Sequence, residues 1–431
     1  MNRKEGRHFS AIYKISIILS FLFVIAFTGE ASAQKLLIYM DKMQNDHLKA
    51  YGVIYKCVAQ GIGAEWLLNY RCGSFLVDDT KVSRETANIM GVSYEPIDNA
   101  RVASIYEVIK ENNMDAVKIE KAPKVAIYTP PDKRPWDDAV TIALTYAEIP
   151  YDKLWDQEVL AGTLSKYDWL HLHHEDFTGQ YGKFYGAYKN AVWYQKQVQL
   201  YTQNAKQAGY KSVQEHKCAV AKAIKKYVEG GGFLFMMCSA CDSIDIALAA
   251  EGVDIIPAEI DGTPAEPDCQ KKLDFSKTLA FKDFTLEMDP YVYEYSDIDV
   301  DANEYFRSST NKGDFTLFEF SAKLDRAPTI LTQSHEACVK GFLGQTTAFK
   351  KKTVKDNIIV LGQIDDDTVK YLYGNLKEGF FTFYGGHDPE DFAHEVGSSA
   401  TNVSLHKNSA GYRLILNNIL FPAVKKKKLK T

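Results

Sequence analysis

No apolar run in the 431-residue chain reaches the roughly 20 residues that a membrane-spanning helix needs. Glycine and proline are ordinary, at 27 and 13, and no low-complexity linker separates one part from another, which excludes collagen-like and disordered classes. Cysteine is sparse. The seven residues Cys57, Cys72, Cys218, Cys238, Cys241, Cys269 and Cys338 fall at irregular intervals, so no disulfide framework is legible and a small stapled scaffold is excluded. No cysteine precedes Cys57, which leaves no place for a lipid-modified cysteine near the start. Charge of one sign is also missing: 51 basic against 56 acidic side chains give a net charge of -5, a poor match to nucleic acid. What remains is a globular composition, 46 % hydrophobic and 25 % charged, with enough chain for a large core.

The first residues read as a targeting segment. Arg3, Lys4, Arg7 and Lys14 precede the apolar run Ile15 to Phe27, and Ala31-Ser32-Ala33 follows. A basic head, a short apolar stretch and small residues at -3 and -1 predict a secretory signal peptide over 1–33, cleaved after Ala33. The expected mature chain begins at Gln34, is secreted or periplasmic, and has no transmembrane anchor. Its net charge moves from -5 to -7, because four basic and two acidic side chains are lost. The segment 424–431 is a basic tail, most simply a solvated end.

Short apolar runs alternating with helices of about a dozen residues predict βαβ units and parallel strands. Lys35–Tyr39, the helical spacing in 46–60 and Glu65–Leu68 form one such unit, within a βαβ region over 34–120. Lys124–Tyr128 and Trp136–Ala147 repeat the layout 89 residues later. Tyr167–His173, the helix Val213–Val228 and the fully apolar Phe233–Met237 then give the clearest crossover, since a strand covered on both faces needs no polar side. From about 255 to 377 prolines, acidic loops and alternating runs such as Phe315–Phe320 predict an antiparallel β-rich insertion. Strand Phe380–Tyr384 and helix Gly411–Leu420 close a core made of 121–254 and 378–423.

Ligands of open parallel sheets bind at the carboxyl ends of the strands. Three predicted strands end there in reactive residues: His173-His174-Glu175-Asp176, Cys238, and Gly385-Gly386-His387-Asp388-Pro389-Glu390. Cys238, between an apolar strand and a helix, is the candidate nucleophile, because a helix N-terminus favours the thiolate. His387 is its candidate base, with Glu390 or Asp388 orienting the ring. His173, His174 and Glu175 are candidate substrate contacts. Arg71, in the glycine-containing stretch Asn69–Ser74, is a candidate anion contact, although a structural turn is the simpler reading of that stretch. His171, His173 and His387 form a candidate divalent-metal set, with His171 and His173 on one face of their strand. The aromatic stretch Tyr181, Phe184, Tyr185, Tyr188, Trp193 and Tyr194 is either a packed lid or the lining of a glycan or peptide groove.

Residues 230–242 and 379–390 resemble the class I glutamine amidotransferase-like superfamily, and within it the trehalose-utilisation-type proteins. The shared features are a glycine-led apolar strand ending in a sharp turn, a late strand ending in Gly-His-Asp-Pro, and the closing helix Tyr412–Leu420. The resemblance implies an α/β, flavodoxin-like doubly wound parallel sheet with a Cys-His catalytic pair. Met236 and Ala240 stand where that family places glycines around its nucleophile, and His387-Asp388-Pro389-Glu390 holds one residue more than its His-Pro-Glu. The whole chain also resembles exported bacterial proteins commonly labelled asparagine synthetase B, through Asp46–Gly52, His173–Tyr181 and Phe383–Glu390. It contains no Ser-Gly-Gly-x-Asp-Ser loop for ATP.

The expected function is therefore an exported thiol-dependent amide hydrolase of glutaminase-like type, without a cofactor, acting on a small-molecule amide. Two alternatives stand beside it. One is a non-catalytic envelope protein that binds glycan or peptide; the other is a metal-dependent hydrolase built on the His171–His174 cluster.

Overall fold

A computed structural model describes residues 34–131, 138–300, 313–390 and 399–424. The predicted signal peptide and the basic residues of the predicted tail lie outside the described residues, as do the first two residues of the predicted helix Trp136–Ala147. The protein is mixed α/β, with parallel and antiparallel strands.

The first unit contains strands β1 (Lys35–Ile38), β2 (Ala64–Leu68), β3 (Ser74–Asp78), β4 (Glu95–Ile97) and β5 (Asp115–Ile119), with helices α1 (His47–Ala59), α2 (Lys81–Met90) and α3 (Asn99–Glu111). Their order in the sheet is β4-β1-β3-β2-β5, and every hydrogen-bonded pair is antiparallel. The expected direct parallel pairing of β1 with β2 is therefore corrected. Those two strands do run the same way, but β3 sits between them, a split βαβ arrangement. The reason is the turn at 69–73. Asn69, Arg71, Cys72 and Gly73 all have positive φ, which folds β3 back on β2 with Leu67 opposite Ser74. Alternation then gives each face a cover: Leu36, Ile38, Trp66, Phe75 and Val77 share the core reached by α1 and α2, while Leu37, Leu67 and Leu76 pack with Ile105 and Ile109 of α3.

The second sheet has ten strands. Its parallel part comprises β6 (Val125–Tyr128), β7 (Asp152–Leu154), β8 (Trp169–Leu172), β9 (Phe233–Met237) and a late strand, Gly379–Tyr384. In chain order the five stand as 2-1-3-4-5 across the sheet. Helices α4 (Ala139–Tyr146), α5 (Val192–Gln207), α6 (Val213–Glu229), α7 (Ser239–Ala249) and α8 (Ala410–Leu420) cover it. Phe235 and Met237 pack with α4 and α8, whereas Leu234 and Met236 pack with α6 and α7, so Phe233–Met237 is apolar throughout because it is buried on both faces.

The residues between α7 and the late strand supply β10 (Phe315–Leu317), β11 (Cys338–Val339), β12 (Gly341–Leu343), β13 (Phe349–Lys350), β14 (Ile359–Gln363) and β15 (Thr368–Leu376), before the late strand β16 (Gly379–Tyr384) and β17 (Asp388–Pro389). They are antiparallel as expected, but they do not stand apart. β15 pairs with β16 from Tyr371↔Tyr384 to Leu376↔Gly379, and β14, β10 and β11 continue outward. They thereby cover the edge that β16 would otherwise expose. No helix among the described residues is long and apolar enough to cross a membrane.

Helix α8 is buried over all of its residues and lies against α1 and α4. Its Arg413 is fully buried and stitches the two units together: its guanidinium donates to the carbonyls of Met40 at 2.8 Å and Cys72, to the Tyr51 hydroxyl at 3.2 Å, and to His335 Nδ1 at 3.2 Å. Replacing Arg413 with Ala is predicted to lower unfolding free energy by about 3 kcal/mol or more, since it leaves several buried acceptors unpaired. A urea midpoint equal to that of the parent contradicts this.

Acid acts at the same junction. His47 and His335 stack face to face, centroids 4.0 Å apart. Burial and the nearby Arg413 hold His47 at about 4; burial, His47 and Arg413 hold His335 at about 3. Both are neutral in the folded chain, while an unfolded imidazole takes its proton near its ordinary 6.5. Their contribution is thus complete above that value and declines as pH falls from 6.5 toward 4. Melting temperature is predicted to drop over that window, and to drop less in a His47→Gln, His335→Gln double variant. Equal slopes for both proteins contradict the assignment.

Candidate functional site

The geometry starts from the pairing of β9 with β16. These parallel neighbours align Met237 with Tyr384, and the Cys238 amide donates to the Tyr384 carbonyl at 2.9 Å. Residues following the two strands therefore emerge side by side. Cys238 caps α7 with φ 52° and ψ -140°, a backbone conformation that a non-glycine residue adopts at a cost of about 1–3 kcal/mol. A sharp strand-to-helix turn of this kind presents a nucleophile above the sheet with helix N–H groups beneath it. It forms here although Met236 and Ala240, both fully buried, replace glycine on either side.

The His387 ring lies beside the Cys238 thiol, within its electrostatic reach. Its Nδ1 lies 2.7 Å from Asp388 Oδ2. Nε2 is thereby left facing the sulfur: a Cβ placed on Gly344 would sit 3.1 Å from His387 Nε2 and 3.0 Å from Cys238 Sγ. Burial alone would lower the pKa of His387, but the Asp388 carboxylate, the Cys238 thiolate and the hydrogen bonds to both outweigh it and raise it well above 6.5. The sequence reading that offered Glu390 or Asp388 as the orienting group resolves to Asp388. Glu390 has φ 65° and turns away, reaching His406 Nδ1 at 3.6 Å and lining a separate cavity with His47 and His335.

The strand-end histidines gather as expected. The rings of His173 and His174 lie 4.6 and 6.0 Å from that of His387. The Glu175 carboxylate closes its own turn, accepting the His173 amide at 2.8 Å. His171 and His173 share a face, both beside Asp138, at 3.3 and 3.7 Å. Of the candidate metal set His171, His173 and His387, the first faces protein groups on both sides. His171 Nδ1 meets the Phe235 carbonyl at 3.2 Å and its Nε2 meets Asp138, so both ring nitrogens are turned to protein groups. Among the described residues no group of three His, Cys, Asp or Glu side chains is arranged to hold a metal ion.

Arg71 stands apart from these groups. It stays with the first unit, its Nε 2.6 Å from Asp41 Oδ2 and its guanidinium 4.1 Å from the Tyr39 ring centre. The loop around it is a structural turn: the Asn69 amide donates to Gln333 and Arg413 donates to the Cys72 carbonyl.

Several site groups were not legible. The loop after β12 covers the thiol, which has 0 % exposure, and the Thr346 amide points at Sγ from 3.4 Å. Thr346 Oγ1 lies 3.4 Å from Asp242, an acid pushed up to about 8 by burial. Lys370 of β15 is fully buried within electrostatic reach of Cys238, and burial lowers it to about 7. A charged residue inside the apolar run of β15 was the available signal for Lys370; the loop residues carried none. Asp245 accepts the amides of Leu279, Ala280 and Phe281 at 2.6 to 2.8 Å and fastens the chain that leads into this loop system. All seven cysteines lie among the described residues and none is in a disulfide.

Asp388→Asn removes the foremost favourable charge on His387. The ring's titration, followed by NMR, is predicted to move to lower pH, and an unshifted titration contradicts the pairing.

No family model matches the chain, and no curated protein matches it. Among solved structures, two cytoplasmic proteins of Salmonella typhimurium are similar, at 12 % and 14 % identity. For each, the likeness covers 70 % of this chain and 100 % of the other, with a TM-score of 0.35. A likeness at that level leaves the family of the chain unassigned.

Proposed function

We propose that this chain is an exported, thiol-dependent amide hydrolase on a flavodoxin-like core of the class I glutamine amidotransferase type. The carrying observation is the alignment of Cys238, His387 and Asp388: Cys238 Sγ and His387 Nε2 meet beside Gly344, and His387 Nδ1 lies 2.7 Å from the Asp388 carboxylate. The 2-1-3-4-5 order of the parallel strands is that of flavodoxin-like sheets, which supports the fold reading. Export rests on the basic, apolar and Ala31-Ser32-Ala33 pattern.

In the proposed reaction His387 Nε2 holds the proton drawn from the thiol, and the thiolate sulfur attacks the amide carbon. The oxyanion forms near the N-terminal amides of α7, where the helix dipole is positive. As the C–N bond breaks, His387 returns the proton to the leaving amine. A water molecule, deprotonated by the same ring, then splits the thioester and releases a carboxylic acid. Asp388 holds the ring with Nδ1 protonated throughout. Since the thiol is covered, substrate entry requires the loop after β12, with Gly344, to shift away from Cys238.

The second reading, a binding protein without catalysis, is favoured by that same cover and by a surface cluster of Tyr185, Tyr188, Trp193 and Tyr291. Hydrolysis of small amides separates the two. Cys238→Ala is predicted to reduce turnover by about 10³-fold or more, as removal of a nucleophile does. Unchanged turnover in that variant, or no turnover of any amide by the parent, refutes the first reading.

A further inference from the structure

The loop over the thiol is tied to the rest of the molecule by a side chain for which the reaction above has no use. Gly344, Gln345 and Thr346 follow β12. A Cβ on Gly344 would sit 2.6 Å from the His387 ring and 3.0 Å from Cys238 Sγ, and the Thr346 amide points at the sulfur from 3.4 Å. Gln345, between them, reaches two other segments. Its Nε2 donates to the Gly182 carbonyl at 3.0 Å and to the Tyr293 carbonyl at 2.9 Å.

Both acceptors belong to a frame that is fixed without the loop. Tyr181, Gly182 and Lys183 have φ of 56°, 79° and 58°, a run of left-handed backbone that L-residues rarely adopt. A Cβ on Gly182 would meet the Phe184 ring at 2.6 Å, so glycine is required there. The Asp176 carboxylate accepts the Gly182 amide at 3.1 Å. Lys183, 2 % exposed, donates to the carbonyls of Glu287 and Asp289, each at 3.1 Å, and so ties the turn to the segment that carries Tyr293. The rings of Phe184 and Tyr293 also meet, with centroids 5.6 Å apart. Strained backbone persists where its surroundings over-determine it, and it gathers at clamps and switches. Here it aims two carbonyl oxygens at one carboxamide. Elsewhere the loop is held by the Gly386 amide, which donates to the Thr346 carbonyl at 2.6 Å, and by the Thr347 hydroxyl, which donates to that of Gly344 at 2.8 Å. Gln345 thus links the loop to the frame at the residue next to Gly344.

We infer that Gln345 is the latch of a movable cover, which closes off the Cys238 thiol until the hydrogen bonds to Gly182 and Tyr293 break. This rests on the hydrolase reading for its purpose, because lids that exclude water and gate substrate serve catalysis. The latch itself needs no turnover.

The test is alkylation of Cys238 by iodoacetamide at pH 9, where a thiol ionises without help, so that the rate reads access and not the action of His387. Gln345→Glu keeps the shape but turns a carboxylate toward the two carbonyl oxygens; Gln345→Ala removes the group. Both variants are expected to be modified at Cys238 about tenfold faster than the parent, the change in open population that losing two ordinary hydrogen bonds brings. Hydrogen exchange, read by mass spectrometry, is expected to quicken over 344–348 and to stay at the parent's rate in β9, which separates release of the cover from general loosening. Equal alkylation rates, including no modification of Cys238 in any of the three proteins, or quickened exchange that extends to β9, overturns the inference. A parent that turns over no amide, yet shows this contrast with its variants, refutes the hydrolase reading and supports the latch.

Discussion

Everything proposed for this protein depends on the parallel register of β9 against β16. That register places residue 238 beside the start of the Gly385-Gly386-His387 turn, and the hydrogen bond from the Cys238 amide to Tyr384 fixes it. Segments about 150 positions apart in the chain thereby bring sulfur, imidazole and carboxylate into contact. A slip of one residue would send the Cys238 side chain to the opposite face and separate it from His387.

The strained backbone at Cys238 is sustained by what surrounds it. Apolar packing on both faces of β9, the closing helix α8 and the tie from Asp245 to residues 279–281 together leave the turn little freedom. The long excursion between α7 and β16 belongs to the same structure. It pairs the edge of β16, lays Gly344 over Cys238 and His387, and contributes Thr346, Asp299 and Lys370 to the surroundings of the thiol. Residues outside the parallel strands thus add to the electrostatics set by His387 and Asp388.

The parts legible in the sequence were those governed by local rules. Phe233–Met237 was readable because a strand buried on both faces must be apolar throughout, and the glycines at 230–232 marked the end of the helix before it. Strand-end logic found Cys238, His387 and the His173-His174 pair without knowledge of their distances. What escaped depended on long-range pairing. Nothing local announces that β3 inserts between β1 and β2, because the turn that directs it rests on positive φ at Asn69, Arg71 and Cys72 as well as at Gly73. The choice between Asp388 and Glu390 likewise follows from the β12–β17 ribbon, in which Gly341 meets Pro389 and the chain turns at Glu390. Arg71 could be offered as an anion contact because its partner Asp41 lies 30 residues earlier.

The most direct test of the central claim is the pH dependence of Cys238 alkylation by iodoacetamide, followed by peptide mass spectrometry, in the parent and in His387→Asn. A functional pair predicts modification of Cys238 near neutral pH in the parent, with the variant slower until pH rises to where an unassisted thiol ionises. Identical pH profiles for the two proteins, or no modification of Cys238 in either, would show that the sulfur and the imidazole do not work together.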